Sequence, residues 1–190
     1  MRILVAAIAG GLVMFVWSAV AHLFLGVGEA GIKSIPNEAP VVAALKANIS
    51  EPGLYFVPGM DMSRRPTDEE MALWTAKYQA GPDAIIVYTP VGDTPMSARQ
   101  LGVEFISNVL AALAGAFILS WSVPSFGKRV ILATLIGLAA WLSINVSYWE
   151  WYHFPGTFVG SELLEQGVGW FLSGFAMACV LKGRGTEELS

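Results

Sequence analysis

Two histidines, His22 and His153, and a few carboxylates and amides interrupt the apolar stretches of this chain, and with these groups it could do chemistry. Polar side chains are costly in hydrocarbon, so each one marks a candidate site. Glu150-x-x-His153 has the i, i+3 spacing that sets a carboxylate and an imidazole on one helical face, as in metal-binding carboxylate bundles. A di-iron bundle needs a second such pair, and the chain offers Glu162-x-x-Glu165 instead, with His22 as an extra nitrogen donor. A metal ion on His22, Glu150, His153 and Glu165 is one expectation, and haem b held by His22 and His153 is another. The plainer expectation, favoured over both, has no cofactor. In it Glu150 and His153 end a helix at the aqueous interface, within an aromatic belt of Trp149, Trp151 and Tyr152.

Helix counting sharpens the picture. His22 lies 20 residues beyond Arg2, Glu150 lies 21 beyond Arg129, and Glu104 and Glu165 each lie 17 before Trp121 and Lys182. At about 1.5 Å per residue, all four sit roughly 25 to 32 Å above the basic anchors, with Asn108 and Asn145 slightly deeper. The candidate polar cluster is therefore His22, Glu104, Asn108, Asn145, Glu150, His153 and Glu165. It contains no lysine or arginine, and crowded carboxylates there must be protonated, hydrogen-bonded or bound to a cation. His22 can pair with Glu104 or Glu165 across a bundle. Ser107 with Asn108, and Ser143, Asn145 and Ser147, are expected to make hydrogen bonds between helices.

The elements that must position these groups follow from the apolar runs. The chain has 190 residues, 55% hydrophobic and 14% charged, with net charge −4 and one cysteine. That balance excludes a disordered chain, a disulfide framework and a basic nucleic-acid binder. Crossing about 30 Å of hydrocarbon takes about 20 apolar residues. Four segments qualify: Ile3 to Val27, Leu101 to Trp121, Val130 to Trp151 and Leu163 to Leu181. Ser122 to Gly127 breaks the second from the third, and Phe154-Pro155-Gly156-Thr157 turns the third into the fourth. The small-x-small phrase Ala19-Val20-Ala21 resembles a signal-peptide cleavage site, but the apolar run continues through Leu25, so a retained helix is expected. Ala7 with Gly11, and Ala111 with Gly115, have the four-residue spacing of close helix packing.

Arg2, Lys128, Arg129, Lys182 and Arg184 cluster at three helix ends, which predicts cytoplasmic termini. Residues 28–100 then lie outside, and the expected setting is a bacterial inner membrane. Within that segment Glu38 to Ile49 has helical spacing, and Leu54 to Val57 and Ala84 to Thr89 suit strands that can pair. Thr67 caps a helix whose box partner is Glu70, and the nearby charges of Arg64 and Arg65 belong to a solvated turn. The fold class is an all-α membrane bundle of four transmembrane helices, with a small α+β extracytoplasmic cap between helices 1 and 2. Its divisions are helix 1 at 1–27, the cap at 28–100, helices 2 to 4 at 101–182 and a tail at 183–190. The cap has few core residues and is expected to need outside support for its fold. The function expected is an accessory or scaffolding protein in the lipid bilayer, bound to other membrane subunits or to itself and to no nucleic acid. The alternative is a metal- or haem-dependent enzyme or redox protein.

Overall fold

The computed structural model describes residues 1–122 and 125–181. Lys182, Arg184 and the tail at 183–190 lie outside the described residues, as do Val123 and Pro124 of the expected breaker. The elements in order are α1 (Arg2–Leu23), α2 (Glu38–Asn48), β1 (Gly53–Val57), α3 (Asp68–Ala80), β2 (Ala84–Tyr88), α4 (Ala98–Ser122), α5 (Phe126–Tyr152) and α6 (Gly156–Leu181). Four of them, α1, α4, α5 and α6, are long and apolar enough to cross a membrane. They form one compact unit together with their flanks, residues 1–32 and from Pro95 on, and Lys33–Thr94 forms a second.

Helix ends differ from the hydropathy boundaries for local reasons. The run Leu23-Phe24-Leu25 does not extend α1, because Gly26 takes a left-handed conformation (φ 64°) and the Val27 amide turns back to the Ala21 carbonyl at 3.0 Å. In α5, His153 is the left-handed C-cap (φ 53°, ψ 33°), and the Phe154 amide returns to the Tyr148 carbonyl at 3.2 Å. Pro155, two residues on, cannot continue the helix. Its carbonyl instead accepts from the Val159 amide at 3.1 Å and opens α6, well before the expected start at Leu163.

In the helical unit α1 and α6 form the central pair, with α4 packed on α1 and α5 on α6. Lipid tails are as apolar as leucine, so burial of oil cannot drive these contacts; close backbone approach does. The buried face of α1 is accordingly Ala6, Ala7, Gly10, Gly11 and Ala21. Gly11 lies on the backbone of Val109 in α4, confirming the spacing argument for Ala7 and Gly11. Trp170 of α6, only 7% exposed, fills the notch between Gly137 of α5 and Gly115 of α4. At the basic end, Arg129 Nη1 donates to the Leu181 carbonyl at 2.9 Å and satisfies the last turn of α6.

The second unit has the expected order of helix, strand, helix, strand, and β1 and β2 pair antiparallel with Gly53 opposite Tyr88 and Val57 opposite Ala84. The capping box at α3 is present in both halves. The Glu70 amide donates to Thr67 Oγ1 at 3.2 Å, and the Thr67 amide donates to Glu70 Oε2 at 2.9 Å. Arg64 Nη1 donates to the same carboxylate at 2.9 Å. Trp74 Nε1 donates to the Pro58 carbonyl at 3.0 Å, tying α3 to the end of β1. No residue between 33 and 94 is buried.

Candidate functional site

His22 is in the last turn of α1, and Ser18 is one turn before it on the same face. Glu165 faces them from α6. His22 Nε2 lies 3.1 Å from Glu165 Oε2 and 3.3 Å from Oε1, and Ser18 Oγ donates to Oε1 at 2.9 Å. Trp17 Nε1 donates to the backbone carbonyl of Glu165 at 3.0 Å, which fixes the height of α1 against α6. Beyond the helix, Gly28 lies against Nδ1 of His22, so closely that any Cβ there would overlap the ring. The carboxylate is the better covered partner, with side-chain exposures of 14% for Glu165 and 48% for His22. Chemically, a hydroxyl, a carboxylate and an imidazole joined in this way can hold one proton and pass it between neighbours.

The other candidates do not converge on this point. Asn108 Nδ2 donates to Glu104 Oε1 at 3.1 Å, one turn apart on α4, and Ser107 Oγ donates to the Glu104 carbonyl at 2.9 Å. Ser143 likewise bonds the Ala140 carbonyl of its own helix at 3.1 Å. The interhelical bonds expected of Ser107, Asn108 and Ser143 are therefore intrahelical, because short polar side chains reach their own preceding turn before they reach a neighbour. Glu150 is exposed on α5. The expectation that Glu150 and His153 share a helical face is corrected by the left-handed C-cap, which takes His153 out of the helix. Among the described residues no three His, Cys, Asp or Glu side chains come together as a metal set. Of His22, Glu150, His153 and Glu165, the structure joins His22 and Glu165. Haem fits poorly too, since Nε2 of His22 is directed to Glu165 and Nδ1 is covered by Gly28.

No family model, curated protein or solved structure matches the chain.

Near the pair, α5 and α6 form a half-open cavity of about 290 Å³. Asn145 reaches it from α5, and Glu162 and Gln166, one turn apart on α6, reach it from the other side. Depth marks Asn145 as a candidate. It does not mark Ser18, Trp17 or Gln166, although Ser18 with His22 and Glu162 with Gln166 both show the i, i+4 spacing of one helical face. In the second unit, the Glu70 carboxyl is held down at about 2 from an ordinary 4.5, first by the Arg64 guanidinium and then by the Thr67 amide.

Proposed function

We propose that this protein is an accessory or scaffolding subunit of a bacterial inner membrane, whose second unit and bundle surface bind a larger membrane complex or another copy of the chain. In this proposal both termini are cytoplasmic and residues 28–100 are extracytoplasmic, as the basic residues at Arg2, Lys128 and Arg129 favour. The observation that carries it is the surface of the second unit. Leu54, Met62, Leu73, Val87 and Val91 are between 60 and 79% exposed, in a unit with no buried residue of its own. Leu54 and Val87 are register partners on the paired strands, and adjacent exposed apolar side chains of this kind support an association surface. An enzyme or redox role using metal or haem draws less support, since among the described residues no three of its proposed ligands come together.

The test is photo-crosslinking in native membranes with a benzophenone side chain placed at Leu54, Leu73 or Val87. Discrete adducts from these positions, absent from a probe at exposed Gln79, are expected. No adduct from all three, with a monomeric chain in nanodiscs, overturns the proposal. Cysteines at Gln79 and Thr157 should react with a membrane-impermeant thiol reagent added to intact cells; reaction at Ser125 from that side reverses the topology.

A further inference from the structure

The cavity between α5 and α6 has a composition that the His22–Glu165 contact does not use. Asn145 is only 8% exposed, lines the cavity, and makes no side-chain hydrogen bond with another described residue. Its amide atoms open onto the cavity and are available to hydrogen-bond an occupant. Glu162 lines the same space and also has no hydrogen-bond partner among the described residues. The charges within its reach are Glu165, which repels it, and His22, which Glu165 already engages. Gln166, Ala140 and Ile144 complete the wall together with four aromatic side chains. Tyr148 stacks on Phe154 with ring centres 5.3 Å apart, and Phe154 meets Phe158 at 5.3 Å. Trp141 is pinned beside them by its indole N–H on the Val159 carbonyl at 2.9 Å.

These walls select the charge of the occupant. Ring faces carry the negative end of the aromatic quadrupole, and with a carboxylate beside them they repel anions and attract cations. A bare metal cation is a poor match, because calcium takes six to eight oxygen ligands and the side chains here present one carboxylate and two amides. An alkylated ammonium suits the cavity better, since its carbons lie on rings while its charge faces the carboxylate. About 290 Å³ is close to the lower end of small-ligand cavities, which suits a head-group-sized ion. The cavity also lies at the end of α5 that carries Trp149, Trp151 and Tyr152, aromatic residues of the type that settles at lipid head-group level.

We propose that this cavity binds an organic ammonium group, with Glu162 as counter-ion, the side-chain oxygens of Asn145 and Gln166 as acceptors, and Tyr148, Phe154 and Phe158 as cation–π walls. The ammonium is supplied either by a free alkylamine or by a phospholipid head group, and the experiment has one arm for each. In the first, protein purified in maltoside without zwitterionic lipid is titrated calorimetrically with tetramethylammonium and ethylammonium chloride, with sodium chloride as the reference. In the second, nanodiscs containing phosphatidylethanolamine, phosphatidylcholine or phosphatidylglycerol are compared by native mass spectrometry for lipid retained on the chain. Saturable binding of one ammonium per chain in either arm is expected, above sodium in the first and above phosphatidylglycerol in the second. Glu162→Gln should weaken it about tenfold, equivalent to about 1.4 kcal/mol. Phe158→Leu, which keeps the carboxylate, should weaken it about threefold, and unchanged thermal unfolding of each variant shows that the fold survives. No preference for ammonium in either arm overturns the proposal, as does Glu162→Gln binding with wild-type affinity. If Glu162→Gln does not fold, Tyr148→Leu decides: unchanged affinity there overturns it equally.

Discussion

Replacing Gly11 by alanine sets two effects of opposite sign against each other. Alanine is the better helix former by about 1 kcal/mol, so on propensity alone the substitution stabilises α1. The structure opposes it. A Cβ at Gly11 would lie 2.5 Å from Val109 Cα and 2.7 Å from Val109 N, whereas ordinary contact begins at 3.4 Å. The shortfall is about 0.9 Å, and because its partner is backbone, no rotamer change in α4 relieves it. The helices must therefore part by about that distance, and a gap of 0.5–1 Å already forfeits roughly a quarter to a half of each dispersion contact along the seam. Overpacking of this kind costs about 1–3 kcal/mol, which exceeds the propensity gain. We expect Gly11→Ala to destabilise the bundle by up to about 2 kcal/mol net, measured by reversible unfolding in mixed micelles. Gly160→Ala is the matched control, since a Cβ at Gly160 meets nothing within 4 Å, and it should be neutral or stabilising. Equal stabilities for Gly11→Ala and Gly160→Ala would show that α1 and α4 do not approach as described.

Replacing His22 by alanine and Glu165 by glutamine, singly and together, should give a coupling of about 0.5–1 kcal/mol for this half-exposed pair; strict additivity would contradict the contact. The same cycle between His22 and Glu104 should be additive, because Glu104 spends its carboxylate on Asn108. Since the folded-state carboxyl of Glu70 is held at about 2 rather than 4.5, the Arg64 contact is intact above pH 4.5 and is lost as pH falls towards 2. Protection of the amides at the start of α3, relative to their intrinsic exchange rates, should fall across that acid window in the native chain and not in Glu70→Gln; identical protection profiles would refute the assignment. Residues 33–94 expressed alone should show no cooperative thermal transition, because none of them is buried, and a sharp transition would make that unit autonomous.

How far these features can be read from sequence depends on the solvent of each segment. The four spans are visible because a run of about 20 apolar residues has few soluble explanations. The capping box is visible because Thr67 and Glu70 act on each other at fixed local spacing. The partnership of α1 with both α4 and α6 is not. A lipid-facing side and a protein-facing side are equally apolar, so the period that marks a buried face in a soluble helix is erased, and only small residues such as Gly10 and Gly11 betray the contact. For the same reason His22, Glu104, Glu150 and Glu165 are equals by depth. Depth carries no rotation about the helix axis, and rotation decides that Glu165 meets His22 while Glu104 turns to Asn108. The end of α5 escaped because a histidine in the left-handed region is uncommon, so nothing in Glu150-x-x-His153 warns that the helix stops between them.

The central pairing of α1 with α6 has a consequence for biosynthesis. These are the first and the last of the described spans, and a chain emerges from the ribosome amino terminus first. While α4 and α5 enter the bilayer, α1 can dock with α4, but the side that α6 will cover stays open. Gly10 still lacks Ser173 and Met177, and His22 still lacks Glu165. A chain halted before α6 therefore carries an unpaired imidazole and a bare glycine groove on α1. Both disappear once α6 docks, so the mutual cover of α1 and α6 separates a bundle lacking α6 from one that contains it.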